Sequence, residues 1–258
     1  MAFLFQHKNP QVPQSDNPYW MSFSDMMSGM LIIFILVCIA LMYKLSEMED
    51  KVNSNIDELR MSYKIRSDIL KEIKTKLEKA EGEEVGIHVI ITDNDSVLRI
   101  PDGSLSFETG EYKIREKNID NAKKIGRVLF EAISHDDRRK HLDTIFIEGH
   151  TDEQPFINVN ENDTEFLGGN WGLSTNRAIW LWKFWISQPE YGEKLKELKN
   201  DEGKYLFSVS GYSDTRPVIK GAKKEEQHNV NRRIDIRFTT KQPTILKLED
   251  VIAPLKEK

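Results

Sequence analysis

The amino-acid sequence predicts a membrane-anchored α+β protein with a single N-terminal transmembrane helix, a coiled-coil linker and an α/β sandwich domain. Three observations predict this fold class. The stretch from Phe23 to Tyr43 is almost entirely apolar, a repeating seam of apolar residues follows it, and the remainder alternates strand-like with helix-like runs. The length of 258 residues allows one or two domains with a sizeable core.

Composition and charge argue against several classes of function. The formal net charge is −5, and the sequence has no long basic run, so we expect no nucleic-acid partner. Cys38 is the only cysteine, which excludes an internal disulfide framework and a cysteine-based metal cage. No second cluster of His or Cys lies at ligand spacing from His150, so we also expect no metal site.

The apolar run has the length of a membrane span. At about 1.5 Å of rise per residue it covers about 32 Å, close to a hydrocarbon core of about 30 Å. Tyr19 and Trp20 precede it, and Tyr43 with Lys44 ends it; such residues are typical of interfacial anchors. We therefore assign residues 19–44 to the transmembrane helix.

A cleaved signal peptide is the main alternative to a membrane anchor. Its apolar core would be shorter, and a small-x-small cleavage pattern would follow it. Here the run continues as Leu41-Met42-Tyr43-Lys44-Leu45, which offers no such pattern, and few positive charges precede the run. The sequence therefore favours a retained membrane helix.

Asp25 is the one carboxylate within the apolar run. A carboxylate near the centre of a membrane helix costs about 3 kcal/mol or more, and it is usually retained where it faces protein or a water path. The low dielectric disfavours its charged form, so it can take up and release a proton. Ser28 and Gly29 share its helix face and favour a partner-facing carboxylate over the alternative, a solvated cap at the helix start.

The residues around Asp25 carry a resemblance to a known family. From Trp20 to Gly29 they read aromatic-x-x-x-Ser-Asp-Met-Met-Ser-Gly. This motif resembles the B subunits of flagellar stators and their relatives. Its sequence looks closer to the B subunits of Zorya anti-phage defence systems than to the flagellar ones. The resemblance implies that Asp25 carries a translocated ion, H+ or Na+ with H+ favoured, and that no other cofactor is needed. It also implies a parallel homodimer within a ring, expected to be pentameric, of polytopic A subunits.

Residues 45–82 are predicted to form a helical dimerisation linker. Apolar residues recur there in a 4-3-4 pattern that Arg66 interrupts, and such a heptad seam favours a parallel helical dimer. The seam consists of Val52, Ile56, Leu59, Tyr63, Leu70, Ile73 and Leu77. The alternative is one amphipathic helix that lies on its own globular domain. Glu81-Gly82-Glu83 is expected to end the helix.

Strand-like and helix-like runs alternate from Val85 to Thr240. Such an alternation implies helices packed on one face of a sheet. The strand candidates are Gly86–Thr92, Ser96–Ile100, Thr144–Glu148, Leu206–Ser210 and Ile234–Phe238. The helix candidates are Glu116–Ile133, Trp171–Ser187 and a shorter stretch at Gly192–Lys199. The segment Gln154–Gly168 is expected to be a loop beside the site.

Four motifs follow one another along this domain. One strand ends in Ile-Glu-Gly-His-Thr-Asp152, and a helix opens with Asn170-Trp-Gly-Leu-Ser-Thr-Asn-Arg177. A second strand ends in Val-Ser-Gly-Tyr-Ser-Asp214, and the last begins with Asn231-Arg-Arg-Ile-Asp-Ile. Together they resemble the OmpA-like peptidoglycan-binding domain. We therefore assign residues 83–240 to an OmpA-like α/β sandwich and 241–258 to a C-terminal tail.

The OmpA-like resemblance implies a non-covalent site for the peptidoglycan stem peptide. Asp152 would hold the ammonium of its diaminopimelate residue. Arg177 would hold a carboxylate, which an arginine grips in a two-pronged way. Arg233 would support the site or its fold. The residues expected to shape the rest of the site are Thr151, Asn170 and Leu173.

A wall-binding domain also implies a topology. The domain would be periplasmic, the tail 1–18 cytoplasmic, and the chain a single-pass protein of the bacterial inner membrane. Two alternatives remain: a flagellar stator B subunit that drives motility, and a passive tether without ion transport, which Asp25 argues against. We expect no enzymatic activity, because nothing completes a hydrolytic site around Glu148 and Asp152. Glu153-Gln154-Pro155 stands where the family has a glycine, so the rim of the site is expected to differ.

Overall fold

One long helix, α1, runs from Pro18 to Glu78 in a computed structural model that describes residues 18–79, 86–107, 110–154 and 168–242. The chain forms two compact units, Met1–Ser54 and Asn55–Lys258. The tail before Pro18, the predicted helix end at Glu81-Gly82-Glu83, most of the predicted loop and nearly all of the C-terminal tail lie outside the described residues.

The first unit contains the apolar part of α1. Its most apolar window has a mean hydropathy of 2.5, and the helix is long and apolar enough to cross a membrane by length and composition. The large apolar side chains from Tyr19 to Tyr43 are exposed, so they do not form a core within the unit. An exposed apolar surface of this extent requires lipid or a partner around it. The predicted single N-terminal apolar helix is thus confirmed.

The C-terminal end of α1 belongs to the core of the second unit. Leu70, Ile73 and Leu77, the last three residues of the predicted seam, are fully buried there. In this part of the seam the helix packs on its own domain, which is the alternative to the predicted dimer contact. A heptad seam and a core-facing stripe have nearly the same spacing, so the sequence pattern did not separate them. The earlier seam residues Val52 and Ile56 are exposed.

Five strands form one mixed sheet in the second unit. In chain order they are β1 (Ile90–Thr92), β2 (Val97–Pro101), β3 (Leu142–His150), β4 (Phe207–Gly211) and β5 (Arg233–Thr240). Their order in the sheet is β1-β2-β5-β3-β4. Strands β3 and β4 are parallel, and the other neighbouring pairs are antiparallel. Each strand overlaps one of the five predicted strands.

The other helices of the second unit largely follow the prediction. They are α2 (Ile119–Ser134), α3 (Gly169–Ile186), α4 (Gly192–Lys196) and α5 (Glu225–Asn231). A turn of 3-10 helix precedes α2, and another follows it. The three predicted helices correspond to α2, α3 and α4, whereas α5 was not predicted. One apolar helix followed by a mixed α/β sheet domain is the predicted fold class.

Alternation along β5 separates the two faces of the sheet. Ile234, Ile236 and Phe238 are fully buried in the hydrophobic core, together with apolar residues of α2 and α3. Successive side chains of a strand point to opposite faces. The intervening side chains, Arg233, Asp235 and Arg237, therefore lie on the face away from the helices, where a charged network replaces the apolar core.

Two glycines allow α3 to lie directly on the backbone of β3 and β4. A Cβ at Gly149, on β3, would overlap the carbonyl group of Ser174. A Cβ at Gly211, on β4, would overlap the side chain of Thr175 and the backbone of that residue. The Ser174 hydroxyl accepts a hydrogen bond from the backbone N–H of Ser213 at 3.0 Å. The start of α3 is thereby fixed against the ends of both parallel strands.

We expect Gly149→Ala to destabilise the domain, because the added methyl group would meet backbone that cannot rotate away. Overpacking of this kind typically costs about 1–3 kcal/mol. Thermal unfolding of the full chain, followed by circular dichroism, measures the effect. Gly103→Ala is the matched control, since a Cβ at Gly103 meets no atom within 4 Å. Equal melting temperatures for the two variants would contradict this close packing.

Candidate functional site

Asp152 lies just beyond the end of β3, where the predicted ammonium-binding carboxylate was expected. The residue is 6% exposed. Its Oδ1 accepts a hydrogen bond from the backbone N–H of Gln154 at 3.1 Å. Its Oδ2 accepts one from Arg232 Nη1 at 2.6 Å, and His228 Nδ1 lies 3.9 Å from the same oxygen. The carboxylate is therefore held in place and already has one cationic partner.

Arg177 projects from α3 and is 2% exposed. Its guanidinium lies over the ring of Phe107, 4.8 Å from the centroid, and its Nε donates to the carbonyl of Glu111 at 3.0 Å. Burial lowers the pKa of Arg177 to about 10, although the charges of Asp102 and Asp152 oppose the shift. The side chain thus stays cationic at neutral pH, in electrostatic range of the Asp152 carboxylate.

Asp102 is a member of this site that the sequence did not reveal. It follows β2 in a turn, and burial raises the pKa of its carboxyl, against the charges of Arg232 and Arg177. In the sequence it reads as an ordinary turn residue of Pro101-Asp102-Gly103. Only the fold brings it near the two arginines.

Three further predicted residues lie around the end of β3 and the start of α3. Thr151 is 3% exposed, and its backbone N–H donates to the carbonyl of Ser213 at 3.0 Å. The Nδ2 of Asn170 donates to the backbone carbonyls of Gln154 at 3.0 Å and Asp152 at 3.4 Å. Leu173, near the start of α3, is buried. Their predicted contacts with a ligand stay predictions.

Arg233 lies on the other face of the sheet and contacts a different carboxylate. Its Nε donates to Asp235 Oδ2 at 2.9 Å, and its Nη2 donates to the carbonyl of Arg216 at 3.0 Å. Arg233 was predicted to support either the site or the fold, and these contacts favour the fold. The neighbouring Arg232 is the arginine that contacts Asp152. The sequence did not reveal this contact, because the two arginines are adjacent in one motif and the motif does not show which of them faces Asp152.

The charged network on this second face is built around Asp235 and Glu148. Arg99 donates to both carboxylate oxygens of Asp235, at 3.0 and 3.1 Å. Burial opposes ionisation of Asp235, but Arg99 and Arg233 outweigh it and hold its pKa below the ordinary value. Glu148, 1% exposed, accepts from Arg237 Nε at 2.8 Å. Each carboxylate is therefore neutralised by arginine.

Glu148, His150 and Asp235 place possible ligand atoms within 4.8 Å of one another. A cation there would compete with arginines that already neutralise both carboxylates. Burial also lowers the pKa of His150 to about 3, and the charge of Arg233 adds to the shift. We therefore assign no metal to these three residues.

Comparisons with known proteins found chains of similar sequence. No family model matches the chain. It is 25% identical over 251 residues to an uncharacterized protein, YtxE, of Bacillus subtilis (strain 168), covering 86% of this chain and 88% of that protein. It is 23% identical over 245 residues to the Zorya protein ZorB of Escherichia coli, covering 89% of this chain and 92% of ZorB.

Solved structures include similar domains. The periplasmic domain of Helicobacter pylori MotB is 21% identical, with a TM-score of 0.46, over 69% of this chain and 94% of that domain. A similarity of this size carries no argument about function.

The chain is ZorB-like in sequence, since the similarity to ZorB extends along most of both chains. The resemblance predicted from the Asp25 and Asp152 motifs is therefore confirmed.

We expect the buried, neutral His150 to make the domain less stable as the pH falls. An unfolded histidine titrates near about 6.5, whereas folded His150 stays neutral down to about 3. Below about pH 6.5 the unfolded state therefore binds more protons, and the free energy of unfolding falls by up to about 1.4 kcal/mol per pH unit. The charges of Arg233, Asp235, Arg99 and Arg216 act on this ring.

Denaturant unfolding of the wild type and of His150→Phe between pH 7.5 and about 5 isolates this contribution. The variant should gain stability relative to the wild type as the pH falls. His88→Phe is the control, because His88 is exposed. Parallel pH profiles for wild type and His150→Phe would contradict a neutral, buried His150.

Proposed function

We propose that the chain is the B subunit of an ion-driven, stator-like motor of the bacterial inner membrane that serves anti-phage defence. The observation that carries this proposal is Asp25, a lone carboxylate in an apolar helix that is followed by an OmpA-like domain. The similarity to ZorB over most of both chains supports the defence role. A proton is the proposed ion.

The surroundings of Asp25 within α1 support a contact with another chain. The side chain is exposed on the isolated helix, so none of the described residues of its own chain encloses it. The hydroxyl of Ser28 donates to the carbonyl of Ser24 at 2.8 Å and is therefore satisfied inside the helix. In a bilayer, an ionisable group in this position needs a protein partner or a water path. A ring of polytopic A subunits would supply both.

A cycle of proton uptake and release at Asp25 would then drive the motor. The charged and neutral forms would make different contacts with the ring, which is the difference that any driven conformational change requires. Two B chains are proposed to lie side by side, in contact through the exposed seam residues Val52 and Ile56. The N-terminus would be cytoplasmic and the second unit periplasmic.

The second unit is proposed to hold the motor still by binding peptidoglycan. Asp152 and Arg177 offer opposite charges to a stem peptide that carries both an ammonium and carboxylates. Arg232 already occupies one oxygen of Asp152, so an incoming ammonium must share this carboxylate. Thr151 and Asn170 lie at the edge of the same site, between β3 and α3.

We expect Asp25→Asn to abolish phage protection while the variant still assembles with its polytopic partner. Asparagine keeps the shape of the side chain but cannot carry a proton in and out of a low-dielectric site. Plaque assays measure protection, and co-purification measures assembly. Asp50→Asn, in the polar part of the same helix, is the matched control. Phage protection by the Asp25→Asn variant would overturn the role of the carboxylate.

We expect Asp152→Ala and Arg177→Lys each to weaken pulldown of the full chain by purified peptidoglycan. Loss of a hydrogen bond to a charged group corresponds to about tenfold or more in affinity, and lysine lacks the two-pronged grip of arginine. Asp137→Ala is the control, because the Asp137 side chain is 79% exposed. Unchanged pulldown for both site variants would remove the proposed site.

A further inference from the structure

Helix α5 brings an arginine of this chain onto the carboxylate that is proposed to receive the ammonium of the stem peptide. Arg232, at the C-terminal end of α5, donates from Nη1 to Asp152 Oδ2 at 2.6 Å. The other oxygen, Oδ1, accepts a hydrogen bond from the backbone N–H of Gln154 at 3.1 Å. Both oxygens of Asp152 therefore already have a donor within the chain.

Arg232 and a ligand ammonium would compete for this carboxylate. Asp152 is buried, so little solvent screens the charges around it. An ammonium within hydrogen-bond distance of Oδ2 would lie close to the guanidinium of Arg232, and like charges repel more strongly in a poorly solvated site than in water. The ammonium thus gains full use of Asp152 only when Arg232 leaves Oδ2.

Arg232 has a second set of partners that it keeps after such a release. Its Nη2 donates to the carboxylate of Glu225 and to the side-chain oxygen of Asn229, both on α5. The side chain of Glu225 is 64% exposed, whereas that of Arg232 is 18% exposed. A movement toward Glu225 therefore takes Arg232 toward solvent and leaves no buried charge without a partner, which keeps its free-energy cost low.

The segment before α5 is fastened to the rim of the same site. The backbone N–H of Gly221 donates to Glu153 Oε1 at 2.9 Å. The buried side chain of Asn231, at the other end of α5, accepts a hydrogen bond from the backbone N–H of Ile219 at 2.9 Å. These contacts hold α5 in place, so the long side chain of Arg232 can change partners without a movement of the helix.

We propose that Arg232 is a built-in competitor for the ammonium, which pairs with Asp152 in this structure and moves to Glu225 when peptidoglycan binds. The inference rests on the proposed peptidoglycan site. Arg232 keeps the carboxylate paired until a cation of the ligand replaces it. The exchange makes the anchoring of the domain weaker than Asp152 alone would allow.

Pulldown of the full chain in detergent, by increasing amounts of purified peptidoglycan whose stem peptides carry diaminopimelate, tests the exchange. Arg232→Gln should bind about fivefold to tenfold more tightly than the wild type, because glutamine offers Asp152 a neutral hydrogen bond in place of a stronger charged one. Circular dichroism of this variant checks that the fold is kept.

Glu225→Gln should have the opposite effect. Glu225 is the carboxylate left to Arg232 in the bound state, so its loss should weaken binding by about twofold to fivefold, the range of an exposed ion pair. The substitution lies at an exposed position, so a change in binding does not reflect a lost core contact. Glu226→Gln, at an exposed position of the same helix, is the matched control and should bind as the wild type does.

Two soluble competitors show whether the gain in Arg232→Gln comes from the ammonium. meso-Diaminopimelate carries ammonium and carboxylate groups, whereas pimelate has the same carbon chain with carboxylates alone. meso-Diaminopimelate should displace Arg232→Gln from peptidoglycan at lower concentrations than pimelate does. Equal displacement by the two competitors, or none by either, would contradict an exchange at Asp152.

The direction of each change separates this exchange from the proposed site itself. Equal or weaker binding by Arg232→Gln would overturn the exchange and leave Arg232 as a residue that supports the fold or holds a carboxylate of the ligand. Tighter binding by Glu225→Gln would also overturn it. If neither the wild type nor Arg232→Gln binds peptidoglycan, the proposed site fails together with the exchange.

Discussion

The close packing of α3 on the backbone of β3 and β4 is the constraint on which the domain depends. It exists because Gly149 and Gly211 carry no side chain at the two points of contact. With the start of α3 fixed there, Asn170 bonds to the chain just beyond β3, and Arg177 comes within electrostatic range of Asp152. A carboxylate and a guanidinium from distant parts of the sequence thus share one site without any direct bond between them.

The same sheet has two chemically different faces. One face carries the apolar core, which includes the end of α1. The other carries arginines and carboxylates that are largely buried yet paired, and such pairing is what makes buried charges tolerable. Because β5 alternates strictly between apolar and charged residues from Arg233 to Phe238, one strand serves both faces.

Local patterns in the sequence predicted the strands, the main helices and the apolar span, because each kind of element has its own pattern of apolar residues. Motifs with a fixed spacing also pointed to Asp152 and Arg177, whose roles in ligand binding stay predictions. Asp102 and Arg232 could not be predicted, because their place in the site depends on contacts between segments far apart in sequence. The seam was misjudged in part, since Leu70 and Leu77 pack on their own domain at a spacing that also suits a dimer.

The central claim of this account is that ions pass Asp25 in a complex of this chain with polytopic A subunits. Proton flux into liposomes that contain both proteins is the most direct measurement of it. The account predicts a flux that requires both proteins and that rises with the imposed proton gradient. A flux no greater than that of liposomes with the A subunits alone would contradict it, and would leave the chain as a passive tether between membrane and cell wall.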